Sequence, residues 1–110
     1  NQAYDILRDD VKRAESLLSL ENIFVNREKD NTYKPSQNLL IEQMELREQA
    51  SNLSGNTEEY DSLLKEIETQ FDSARKQFNK EFNESSLEQA AQTAMKLKYL
   101  GKLKYELEAA

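Results

Sequence analysis

The sequence has no cysteine and no histidine. Without thiols there are no disulfides and no thiolate nucleophiles. Without imidazole there is no base poised near neutral pH, and the usual ligands of zinc, haem and iron–sulfur clusters are missing. Carboxylates alone can bind a metal, yet the alternating Asp/Asn loop with a central Gly that marks a calcium site is absent. So are the Glu-x-x-His pairs of a di-iron bundle. These absences predict a protein with no metal, no cofactor and no catalytic centre. No stretch approaches the roughly 20 apolar residues that span a bilayer. Asn1–Gln2–Ala3–Tyr4 has neither the basic nor the apolar part of a signal peptide, so a soluble intracellular chain is expected.

Turn-formers are scarce as well, with two glycines and one proline in 110 residues. What fills the chain instead is Glu, Gln, Lys, Leu and Ala, the residues that favour helix, which predicts an all-α fold around one modest core. Acidic residues outnumber basic ones, 21 to 15, for a net charge of −6. That field repels phosphate backbones and anionic lipid surfaces, so neither nucleic acid nor membrane is expected as a partner.

Four segments emerge from the periodicity. Ala3, Leu7, Val11, Ala14 and Leu18 recur at helical spacing up to about Leu20, as one helix or two short ones joined near Asp9–Asp10. Residues 21–34 lose the period and read as a linker that only Ile23, Phe24 and Tyr33 could tack down. Pro35 and Ser36 signal a helix start, and Leu39, Gln43, Leu46, Ala50 and Leu53 carry a stripe towards Gly55, a natural left-handed cap. Asn56 and Glu59 have capping-box spacing ahead of Tyr60, Leu63, Leu64, Ile67, Phe71, Ala74 and Phe78, which predicts a continuous helix over 58–78 as the central element. Ser85 and Glu88 repeat that spacing before Leu87, Ala90, Ala91, Ala94, Leu97 and Leu100. The short connections make consecutive helices antiparallel, so residues 35–110 should form a three-helix bundle. The pattern does not decide whether the first segment docks on it.

The helix after Ser36 is unusual in having two apolar faces. At about 100° per residue, Leu40, Ile41 and Met44 lie roughly 100–200° away from Leu39, Leu46, Ala50 and Leu53. A bundle helix has one inward side. The second face is therefore either buried against the first segment or left in water as an interaction patch. Glu45 and Glu48 border it and Glu42 is within reach, an arrangement in which apolar anchors supply affinity and rim charges select the partner. A basic or mixed-charge partner surface is implied.

Leu40–Ile41–Glu42–Gln43–Met44–Glu45–Leu46–Arg47–Glu48 resembles the Leu-Met-Glu-Gln-Leu/Met-Glu-Leu-Arg-Glu signature of the HscB family, known as Jac-type proteins in mitochondria. Two further stretches agree in order. Asn1–Gln2–Ala3–Tyr4, Arg13–Ala14–Glu15 and Leu17–Leu18–Ser19–Leu20 resemble the end of that family's J domain. Lys96 to Leu103 resembles its last helix. The resemblance implies three parts: the end of a J domain at 1–20, a linker at 21–34 and a scaffold-binding bundle at 35–110.

It further implies a co-chaperone of iron–sulfur cluster assembly that binds an IscU-type scaffold protein and presents it to a specialised Hsp70, in the bacterial cytoplasm or the mitochondrial matrix. The His-Pro-Asp motif that couples J domains to their Hsp70 is not among these residues, so Hsp70 enters only through an upstream J domain. Carried over by alignment, the contact residues are Leu40, Ile41, Met44, Glu45 and Glu48, with Tyr99 where the family often has Phe. Relative to an inward arc of Ala90, Ala94, Leu97 and Gly101, Tyr99 points away, and exposure is expected for it.

Two departures from the family pattern stand out. Asn52 replaces an acid one turn beyond Glu48, which shortens the rim. Asp9–Asp10–Val11 replaces a proline-containing junction, so two short helices can run on as one. Lys76, Lys80, Lys96, Lys98, Lys102 and Lys104 read as a solvated face with helix-end and i,i+4 pairing. Two rivals from other classes fit less well. A cofactor-free helical mutase of the chorismate type needs converging cations, and Arg8, Arg13, Arg27, Arg47 and Arg75 share no face. A plain helical adaptor or coiled coil would sustain a heptad, and none crosses the linker.

Overall fold

A computed structural model describes residues 2–21, 23, 35–53, 55 and 57–109; the side chains of 2–8 and 109 lie outside that description. Four helices account for nearly all of it: α1 (Gln2–Leu20), α2 (Gln37–Ser51), α3 (Thr57–Asn83) and α4 (Leu87–Ala109), with no strand among the described residues. The body measures 44 × 28 × 24 Å.

Helix α1 is a single helix through Asp9–Asp10, as the missing proline allows. Helix α2 starts where Ser36 accepts a hydrogen bond from the Leu39 N–H at 3.1 Å, and it ends at Ser51, short of Leu53, the last residue of its apolar stripe, with Asn52 as its cap. Gly55 takes a φ of +78° in the turn that follows, a conformation glycine adopts without steric cost. The expected cap of α3 at Asn56 lies outside the described residues, as do Phe24, Tyr33 and most of the linker. Ile23 is described and buried.

Helix α3 runs beyond Phe78 to Asn83, and its closure corrects the expectation for Ser85. The Ser86 N–H donates to the Glu81 carbonyl at 2.8 Å and the Ser85 N–H to that of Phe82 at 3.1 Å, the paired bonds of a Schellman motif. Ser85 occupies its left-handed position at φ +61°. It therefore ends α3 and does not cap α4. The reason is geometric: a residue in that conformation cannot also take the extended backbone of an N-cap.

One core joins all four helices. Val11, Ala14 and Leu18 of α1 and Leu39 and Leu46 of α2 belong to it. So do Leu63, Ile67, Phe71, Ala74 and Phe78 of α3, and Ala90, Ala91, Ala94, Leu97, Leu100, Leu103 and Leu107 of α4. The central element is α4, not α3, because α4 packs on α3, α1 and α2 alike. Alanines on its first half allow close approach from more than one side. Antiparallel α3 and α4 are pinned at one end by Tyr60, whose hydroxyl donates to the Leu107 carbonyl at 3.0 Å. At the other end Glu81, 8% exposed, accepts from Thr93 Oγ1 at 2.6 Å and from Gln77 Nε2 at 3.0 Å. These bonds replace the water a buried carboxylate loses.

Candidate interaction surface

Good helix formers fill α2, and the helix lies parallel to α4 with its register set by polar ties at three heights. The Ser36 N–H donates to Gln92 Oε1 at 2.8 Å, Lys96 Nζ pairs with Glu42 Oε2 at 3.5 Å, and Arg47 pairs with Glu106 at 3.1 Å. Between these ties Leu39 and Leu46 enter the core, with Ala50 and Leu53 half-buried beside them. The opposite face is bare. Leu40 and Ile41 are 45% exposed and Met44 is 69% exposed, with Glu45 and Glu48 exposed alongside.

Of the two fates open to the second face, the structure shows exposure. Helix α1 docks elsewhere, with Asp10, Arg13, Ala14 and Leu17 facing Arg75, Phe78, Asn79 and Leu97 in the groove of α3 and α4. The patch is therefore apolar at its centre and acidic at its margin. Asn52, where the rim was expected to stop, lines an open groove of about 620 Å³ together with Gln49, Leu53, Leu63, Glu58, Glu59 and Glu66. Three acids of α3 thus line the groove beside Asn52. Periodicity carries no signal for this, since the groove joins residues of two helices.

Tyr99 is not exposed. It is 7% accessible, half-buried Met95 lies nearby on the same helix, and the expectation of a surface tyrosine is overturned. A single inward arc does not describe α4, because α2 covers the side that the arc of Ala90, Ala94 and Leu97 leaves open. Two of the lysines assigned to a solvated face also tie helices together: Lys96 to Glu42, and the mostly covered Lys104 to Glu68 at 3.2 Å.

Burial, with the negative charge of Glu42 adding to it, pushes the Tyr99 phenol up to about 12. Unfolded tyrosine ionises near 10, so the stability tied to the neutral phenol is complete below about pH 10 and is lost as pH rises towards 12. Tyr99→Phe, which cannot ionise, should therefore shift the alkaline unfolding midpoint upward. An unchanged midpoint, followed by circular dichroism, would indicate that the phenol titrates alike in both states.

Among the described residues no group of three or more acidic side chains could hold a metal ion, and no helix is long and apolar enough to cross a membrane. A family profile described as the HSCB C-terminal oligomerisation domain matches residues 35–108. Relatives named co-chaperone protein HscB homolog include those of Vibrio cholerae, 34% identical over 112 residues, and Vibrio vulnificus, 33% identical over 112. That of Shewanella woodyi is 34% identical over 115 residues. Each alignment covers 98% of this chain and 64% of the relative, so the chain spans just under two thirds of their length.

Proposed function

The chain belongs to the HscB family, and from that premise we propose that it is a co-chaperone module of iron–sulfur cluster assembly whose α2 face binds an IscU-type scaffold protein for delivery to a specialised Hsp70. Residues 1–20 are then the end of a J domain, 21–34 a linker and 35–110 the scaffold-binding unit. The observation that carries the reading is the exposure of Leu40, Ile41 and Met44 within the family signature, on a helix already anchored by its other face. The residues assigned to contact are these three with Glu45 and Glu48. Tyr99, being buried, acts from beneath α2.

Calorimetric titration of the chain with an IscU-type scaffold tests the reading directly, and no detectable heat or complex would reject it. The acid rim gives a second measurement. Glu45→Lys with Glu48→Lys should slow association and reverse its salt dependence, because rim charges act mainly on the encounter and are screened within about 10 Å at 0.1 M salt. An unchanged salt dependence would leave only the apolar anchors in the interface.

Oligomerisation is named in the matching profile, which favours a second reading in which the patch pairs with another copy of this chain. Two-fold pairing of α2 would set Glu42, Glu45 and Glu48 against their own copies, a like-charge arrangement that is destabilising. Sedimentation of the chain alone separates the readings.

A further inference from the structure

With no cysteine in the sequence, Met44 and Met95 hold all of its sulfur. A thioether takes an oxygen atom from a peroxide and becomes a sulfoxide, which reductases reverse, and no thiol of this chain competes for the oxidant. The oxidant must reach a sulfur lone pair, and the two methionines differ in that respect. Met95 is half-buried against the core on α4. Met44 is 69% exposed, more than Leu40 or Ile41, which precede it by four and three residues and so share its face of α2. Glu45 and Glu48 beside it do not repel an uncharged oxidant such as hydrogen peroxide. On the free chain a sulfoxide at 44 keeps its water, so the fold is indifferent to it. Under a partner that covers the patch, the same oxygen loses its water at the apolar centre and needs a donor there.

We propose that Met44 is a reversible oxidation site that switches the α2 face: the thioether completes the apolar centre that binds an IscU-type scaffold, and the sulfoxide releases it. This rests on the scaffold-binding reading above. In the forward step a sulfur lone pair attacks one oxygen of hydrogen peroxide, the O–O bond breaks and an S–O bond forms. Sulfur loses two electrons, and the other peroxide oxygen leaves as water with both hydrogens. In the return step two thiols of a methionine sulfoxide reductase become a disulfide and the sulfoxide oxygen leaves as water. The sulfoxide is chiral and each reductase takes one epimer, so full recovery requires both.

The test uses the full 110-residue chain with the variants Met95→Leu, which leaves Met44 as the single thioether, and Met44→Leu. Both changes nearly conserve volume. Each protein is treated with hydrogen peroxide and then with catalase before the scaffold is added, so that only this chain is oxidised. Peptide mass spectrometry locates the added oxygen, and a thermal melt and a calorimetric titration are read before and after treatment. Met44 should be oxidised ahead of Met95. The treated parent and Met95→Leu should keep their melts yet bind at least about tenfold more weakly, the size expected for a polar group buried without a partner. The two reductases together should restore their affinity, and Met44→Leu should bind alike before and after treatment. The switch is overturned, with the scaffold face intact, if chain oxidised at Met44 binds as tightly as untreated chain or if Met95 is oxidised first. It also falls if Met44→Leu loses as much affinity on treatment, if the reductases restore nothing, or if the oxidised chain melts well below the parent. An untreated parent that does not bind the scaffold removes the scaffold face and the switch with it.

Discussion

Phe71→Ala should lower the unfolding free energy by about 3–5 kcal/mol, the usual range for truncating a buried aromatic. Phe71 sits near the middle of α3, is 5% exposed, and shares the core with Ile67, Ala74 and Leu100. Removing the ring withdraws apolar area from the helix that packs most extensively on α4, and backbone held at 27 residues of continuous helix can collapse only partly into the void. Small domains are stable by only about 5–15 kcal/mol in total, so the loss should shift the thermal midpoint by more than about 10 °C. Ser73→Ala, on the exposed side of the same helix, should stay within about 0.5 kcal/mol of the parent. Melts of the two variants that coincide would mean that the phase of α3 is wrong.

Changing Leu40, Ile41 and Met44 together to Ala should weaken scaffold binding by at least about 2 kcal/mol, roughly thirtyfold, while leaving the melt nearly unchanged. No cavity opens, because all three side chains already face water, and Ala is the best helix former. Calorimetry and a thermal melt on the same sample distinguish the cases. A stable variant that bound the scaffold at full strength would remove the functional claim. A destabilised one would show that the second face of α2 rests on other parts of the chain.

Much of the candidate site is legible in the sequence. Leu40, Ile41 and Met44 stand out because a helix has one inward side, and Leu39 and Leu46 already claim it. Glu45 and Glu48 follow as the margin. Tyr99 defeats the same logic for a related reason. Periodicity offers Ala90, Ala94 and Leu97 as one buried side of α4, whereas three neighbours pack on this helix, Tyr99 falls on a covered side, and the exposed sector holds Lys98, Lys102 and Tyr105 instead. The groove that Glu58, Glu59 and Glu66 line with Asn52 leaves no trace in the pattern, because those residues meet only when α3 folds back beside α2.

The sequence by itself determined that the chain is helical, where α2 begins, the unbroken stripe of α3 and the two-sidedness of α2. All of these follow from residue propensity, capping and a 3.6-residue period, which act within a few turns of the chain. Only the tertiary structure decided that α4 is central, that α1 docks at α3 and α4 and leaves the second face of α2 exposed, and that Lys96 and Glu42 tie α2 to α4. A local period shows that a face is apolar but not which neighbour covers it. That choice depends on how the helices pack in three dimensions, where small residues such as Ala90, Ala91 and Ala94 set the distance of approach.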